Sequence, residues 1–254
     1  MLHNIHHLLI AVCLTTCSIV AQAKDPIPKE INMVYEVSRN GQPFATVTES
    51  YRQLGNDYHI VSITKGLGVY ALFGERKLMS DGVITAAGLK PSHFELRQGD
   101  NAKKWLSAAF DWKNKTLNMS AKGEIKTTEL PDNAQDLASY LYQFMFERKL
   151  DSAQLANQPA DFVVNVTTAK NVKPFKFEVR PIFNAMQLTA GNFKVIELTS
   201  VKDVQLDNVQ TASKTSDDRQ IWLATEKFNL PVKLIMHDDK GGDFEQTLKS
   251  MELR

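Results

Sequence analysis

The chain has 254 residues, with 30 Lys+Arg against 29 Asp+Glu, a net charge of +1 and 43% hydrophobic residues. That balance excludes the dense positive field of non-specific nucleic-acid binding, and the apolar content excludes bulk disorder. The length suits one large or two small domains, enough to bury a core without staples.

Residues 1–23 contain no Lys, Arg, Asp or Glu. Within them Leu8 to Val20 is an apolar run of signal-peptide length, short for a bilayer span, and it ends in Ala21-Gln22-Ala23 before the polar Lys24-Asp25. The expectation is a cleavable leader over 1–23, processed after Ala23, and a single β-rich domain over 24–254. An uncleaved N-terminal anchor is the alternative. Cys13 and Cys17 both fall inside the leader, so on this reading the processed chain has no cysteine. Disulfides, thiol nucleophiles and cysteine metal sites are then excluded. Cys17 as a lipid-modified residue is a minor alternative, because Thr16 stands where the processing enzyme prefers Gly, Ala or Ser. No later stretch reaches the length of a transmembrane helix.

Pro26 and Pro28 mark an extended lead-in. Period-two alternation then dominates, broken by turn chemistry every eight to twelve residues or so. Ile31, Met33, Tyr35 and Val37 alternate with mostly polar neighbours up to Asn40-Gly41, a strong hairpin signal. Ala45, Val47 and Tyr51 continue in the returning strand, and Gly55-Asn56-Asp57 turns into Tyr58–Thr64. Gly66–Phe73 is apolar, flanked by glycines and ambiguous between helix and strand. Further on, Leu106, Ala108, Phe110 and Trp112 share a face, and Phe175, Phe177 and Val179 oppose Lys176, Glu178 and Arg180. Val232, Leu234 and Met236 form another face before the Asp239–Asp243 turn.

One helix interrupts the strands. Pro131-Asp132-Asn133 supplies a cap with Gln135 as an imperfect capping box, and Leu137, Tyr140, Leu141, Phe144 and Met145 follow at helical spacing over 136–149. Tyr142 and Phe146 make a second side apolar, which predicts burial between surfaces. The polar stretch over 151–159 reads as the loop after this helix. The predicted fold is mainly β: a curled antiparallel sheet, or a half or flattened β-barrel, of about ten to thirteen strands. One main helix packs at its concave face.

The C-terminal third carries a resemblance. Ala190-Gly191-Asn192-Phe193, Trp222-Leu223-Ala224 and Leu230-Pro231-Val232-Lys233-Leu234 occur in that order, with a closing hairpin at Gly241-Gly242. With Tyr35-Glu36-Val37, Asn40-Gly41 and Gly74-Glu75-Arg76 ahead of them, the chain from Ile31 to Leu253 resembles the family catalogued as domain of unknown function 3108. The resemblance implies an exported, periplasmic protein of Gram-negative bacteria, similar in fold to the half-barrels of lipoprotein carriers and lipid-sensing domains. It brings no catalytic residues.

Chemistry-bearing motifs are sparse. The sequence holds no nucleophile elbow, phosphate-binding loop, dinucleotide fingerprint or H-E-x-x-H motif. His59, His93 and His237 are far apart, and Lys240 breaks the calcium-like pattern of the acidic hairpin. No cofactor or metal is expected. The remaining surplus is apolar: Tyr70, Leu72, Phe73, Tyr140, Leu141, Phe144, Met145 and Phe146 are candidates to line a cavity between helix and sheet. An acyl chain there would gain about 0.8 kcal/mol per buried methylene. The expected function is a non-catalytic periplasmic binder or carrier of a lipid, acyl chain or lipoprotein. An envelope interaction module that recognises a protein partner, and a cell-wall or glycan hydrolase, are the alternatives.

Overall fold

The computed structural model describes residues 26–147, 150, 160–181, 185–201, 218–237 and 241–254. The expected leader, the 151–159 stretch expected as a loop, Asp217, and Asp239 and Lys240 of the expected Asp239–Asp243 turn lie outside them. Among the described residues, fifteen strands form one sheet and two more form a separate hairpin, β12 (Met186–Leu188) with β13 (Gly191–Phe193).

The sheet is a long antiparallel meander. β1 (Glu30–Arg39), β2 (Gln42–Leu54), β3 (Asp57–Gly66), β4 (Arg76–Thr85), β5 (Gly88–Gln98), β6 (Leu106–Asp111), β7 (Thr116–Ala121) and β8 (Glu124–Glu129) are neighbours in chain order. On the other side of β1 lies β17 (Asp243–Leu253), followed by β16 (Leu230–His237), β15 (Arg219–Ala224), β14 (Val195–Ser200), β11 (Val172–Pro181), β10 (Ala160–Thr167) and β9 (Ala134–Asp136). The turns are those the residues dictate. Asn40 and Gly41 both take positive φ, +50° and +77°, the geometry of a two-residue hairpin whose twist matches its strands. In β1, Ile31, Met33, Tyr35 and Val37 point inward while their neighbours stay half-exposed. Phe175, Phe177 and Val179 do the same in β11.

Of the expected forms the sheet takes an open one, and two other features differ from expectation. The sheet does not close into a barrel: β8 and β9 are its two edges. It carries more strands than alternation reveals, because β8 is exposed almost throughout and β9 has three residues. The helix is also far shorter than 136–149: α1 spans Ser139–Gln143 and runs into a 3-10 turn at Phe144–Phe146. Residues 134–136 are strand instead, paired in parallel with Asn165–Thr167 of β10. The helix cap moves with them. Asp136 Oδ1 accepts from the backbone N–H of Ala138 and Ser139, both at 2.8 Å, while Ser139 Oγ accepts from the Asp136 N–H at 2.9 Å. This is the reciprocal capping arrangement, built on Asp136 in place of Asp132.

Two apolar clusters fill the interior. The larger draws on β1–β7 and includes Tyr35, Tyr51, Phe94, Leu117 and Tyr142. The smaller unites Tyr140, Leu141 and Phe144 with Phe162, Phe175, Phe177 and Ile221. All five residues of α1 are buried, split between the two clusters and the polar contacts described below.

Candidate functional site

Five of the eight residues expected around a cavity lie together at α1, where they are packing. Tyr140 meets Phe175 edge-on with ring centroids 5.8 Å apart, and Phe144 tilts against Phe162 at 5.1 Å. Leu141 belongs to the same cluster, Met145 is buried in the larger one, and Phe146 packs partly buried against it. The other three are elsewhere. Tyr70, Leu72 and Phe73 belong to a 3-10 turn, Gly68–Phe73, in which no residue is buried. Tyr70 touches Phe44 at 4.5 Å, whereas Leu72 and Phe73 are 87% and 71% exposed.

Two carboxylates are enclosed by the core. Glu49 of β2 accepts from Ser62 Oγ at 3.1 Å and from the Tyr142 hydroxyl at 3.4 Å. Burial pushes its pKa up to about 7, with those hydrogen bonds opposing the rise. Tyr142 stacks on Tyr51 at 5.5 Å, and burial, then the Glu49 charge, lifts the Tyr142 hydroxyl well above its ordinary value. Asp136, fully buried, also accepts from Ser80 Oγ at 2.6 Å, and burial raises its pKa to about 6. Both carboxylates sit on hydroxyls and backbone amides within packed side chains. These contacts orient and anchor.

The open space lies on the other side of α1. A groove of about 670 Å³ runs between the β4–β5 hairpin, β9, β10 and the end of the helix. Its floor is a hydrogen-bonded seam. Gln143 Oε1 accepts from the Leu89 N–H at 2.8 Å, and its Nε2 donates to Ala87 O and Glu147 Oε1, both at 3.0 Å. Gln135 Nε2 donates to Leu89 O at 2.7 Å, leaving its Oε1 buried without a partner. Gly88 makes this seam possible: its φ is +106°, and a Cβ there would stand 2.4 Å from Gln143 Oε1. One wall is Trp112, whose indole N–H donates to Pro91 O at 2.5 Å and over whose ring Lys90 Nζ lies at 5.0 Å. Phe162 and Val164 add apolar surface, and Asp132, Glu147 and Asp161 add carboxylates. Asp132 is paired with Lys115, which holds its carboxyl below the usual range.

The groove therefore combines an oriented indole, a fixed amide and acidic rims around one lysine. No histidine or cysteine lines it. Linear sequence concealed it, because its parts come from β5, the residue after β6, β9, α1 and β10. Trp112 alone carried a signal, as an aromatic continuing the face of Leu106, Ala108 and Phe110.

Each histidine is the partner of an acid, His59 and His93 at the surface and His237 with its side chain largely buried. His59 Nδ1 lies 2.5 Å from Asp81, His93 Nε2 lies 3.3 Å from Glu95, and His237 Nδ1 lies 2.5 Å from Asp243. Strand register places His59, Asp81 and His93 in one cross-strand row, a neighbourhood their spacing hid. Among the described residues no group of three or more His, Cys, Asp or Glu is arranged to hold a metal ion, and no helix is long and apolar enough to cross a membrane.

No curated protein matches the chain. The profile of a family described as "Protein of unknown function (DUF3108)" matches residues 34–249, from the middle of β1 to the second half of β17. The match spans most of the sheet, α1 and the groove, and the chain belongs to that family.

Proposed function

We propose that this is a non-catalytic binding protein, exported to the periplasm through its 1–23 leader, that holds a polar saccharide-type ligand in the Trp112 groove. The sheet curls around α1, which fills its concave face and leaves the groove as the open space beside it. The carrying observation is the pairing of an oriented indole with fixed hydrogen-bonding groups in one cleft. A pyranose ring lays its C–H face on an indole and directs hydroxyls sideways, where Gln143, Glu147 and Asp161 line the groove. The packing of Tyr140, Leu141 and Phe144 weighs against an acyl chain beneath the helix, since those side chains already fill the space that a lipid would need.

Calorimetric titration with N-acetylated oligosaccharides tests the reading. Binding is expected in the wild type, to be weakened by about tenfold or more in Trp112→Ala, a loss of about 1.4 kcal/mol or more. Quenching of the Trp112 emission, read in a variant with Trp105 and Trp222 replaced by Phe, should accompany it. Absence of binding, together with stoichiometric lipid in solvent extracts of the purified protein, would overturn the proposal and restore an apolar-ligand carrier. Amino-terminal sequencing of protein from a periplasmic extract should begin at Lys24.

A further inference from the structure

We propose that the β3–β4 turn and the adjoining β5–β6 connection form a docking surface for an anionic lipid bilayer. This surface lies at the start of β4, while the groove lies at its end, so the two are independent.

Exposure of apolar side chains here is built into the backbone. Gly66 ends β3 where a Cβ would stand 2.4 Å from Tyr70 O, so the 3-10 turn folds tightly over the strand end. The Leu67 N–H donates to Phe44 O at 2.9 Å, and the Tyr70 ring rests on Phe44. With the inner side anchored, Val69, Leu72 and Phe73 project at 71%, 87% and 71% exposure. The next connection is braced against this tip: Gln98 Nε2 donates to Phe73 O at 3.2 Å, and the Gly99 N–H donates to Glu75 O at 2.8 Å. It brings up Trp105, 38% exposed, with its indole N–H on Gly99 O and the Arg97 guanidinium 4.6 Å from its ring centroid.

Single exposed apolar residues are ordinary; four held outward on two braced turns are a patch with a use. Charge selects its occupant. Residues 65–77 and 97–104 carry six Lys or Arg against two acids, in a chain whose net charge is only +1. Arg76 is largely buried at the base of the tip beside Arg219, which leaves five; of these, Lys65 pairs with Glu75, and Arg97 with Glu95, only through partly exposed contacts. Aliphatic and aromatic tips ringed by cations are the complement of an acidic headgroup layer over hydrocarbon.

Co-sedimentation of the processed chain with vesicles of phosphatidylglycerol and phosphatidylethanolamine tests the proposal, with phosphatidylcholine vesicles for comparison. Binding to the anionic vesicles is expected, about tenfold weaker on phosphatidylcholine and weaker again at high salt. Leu72→Glu with Phe73→Glu should lower partitioning on anionic vesicles by about tenfold or more without moving the urea midpoint, because neither side chain contributes to the core. Wild-type protein that ignores anionic vesicles, or a double variant that binds as well as wild type, would overturn it. So would a wild-type dimer in sedimentation velocity that the double substitution converts to monomer, since the patch would then belong to a second copy.

Discussion

Glu49→Gln should stabilise the protein at alkaline pH and do little at acidic pH. Glu49 is 6% exposed and faces Ser62 and Tyr142, with no cationic partner among the described residues. Its pKa rises from 4.5 to about 7, led by burial. The raised value means that the native state holds this proton more tightly than the unfolded chain does. The associated stability is fully present below about pH 4.5 and is lost as pH climbs through about 7. The difference corresponds to about 3 kcal/mol between the two limits. Glutamine removes the titration but offers Tyr142 a poorer acceptor, a loss of about 1 kcal/mol. The expected net gain is therefore about 1–2 kcal/mol at pH 8, with little change or a slight loss at pH 5. Urea unfolding at both pH values measures it, with the slope of stability against pH between 6 and 8 as the more sensitive readout. If the variant is less stable than wild type at pH 8 and keeps the same slope, Glu49 is ionised and satisfied in the native state, and the reasoning fails.

Asp136→Ala should cost about 3–5 kcal/mol, because Ser80 Oγ and the amides of Ala138 and Ser139 all lose their acceptor in a buried site. Asp136→Asn keeps one acceptor oxygen and should cost about 1 kcal/mol, which urea unfolding at pH 7 separates from the alanine variant. That ordering would be overturned by an asparagine variant as unstable as the alanine one. Gly88→Ala imposes both a disfavoured positive φ and a collision with the Gln143 amide. It should lower stability by about 2–4 kcal/mol and weaken groove binding in the same protein, measured by thermal melting and calorimetry.

How much of this was legible in the sequence depends on what each signal encodes. Alternation in β1 and β11, and the Asn40-Gly41 turn, are local consequences of pleat and backbone sterics, and they appear as read. The helical expectation overruns α1 because Ala134, Gln135 and Asp136 fit a helical cap locally, while the edge of β10 captures them as a strand. Such competition is tertiary and leaves no local trace. Tyr70, Leu72 and Phe73 look like companions of the helix aromatics in the sequence because apolarity records a preference for leaving water, without saying where. The Gly66 backbone contact decided that, and it is invisible until the strand end is placed. The groove was hidden for the same reason as the His59–Asp81–His93 row: register joins residues that spacing separates.

The pairing of β1 with β17 bears on how the sheet assembles. Glu30 and Arg254 exchange both backbone hydrogen bonds, at 3.0 and 2.9 Å, so the middle of the sheet is stitched by residues from opposite ends of the described chain. The β1–β8 meander consists of successive hairpins, and loop closure costs little for each. Until β17 arrives, however, β1 is an edge, with Ile31, Met33 and Tyr35 covered on one side only. A chain synthesised from its amino terminus holds that edge open until its last strand is available. Pairing errors between copies are then most costly at β1. Docking of β17 becomes the step that converts two half-sheets into one cooperative unit.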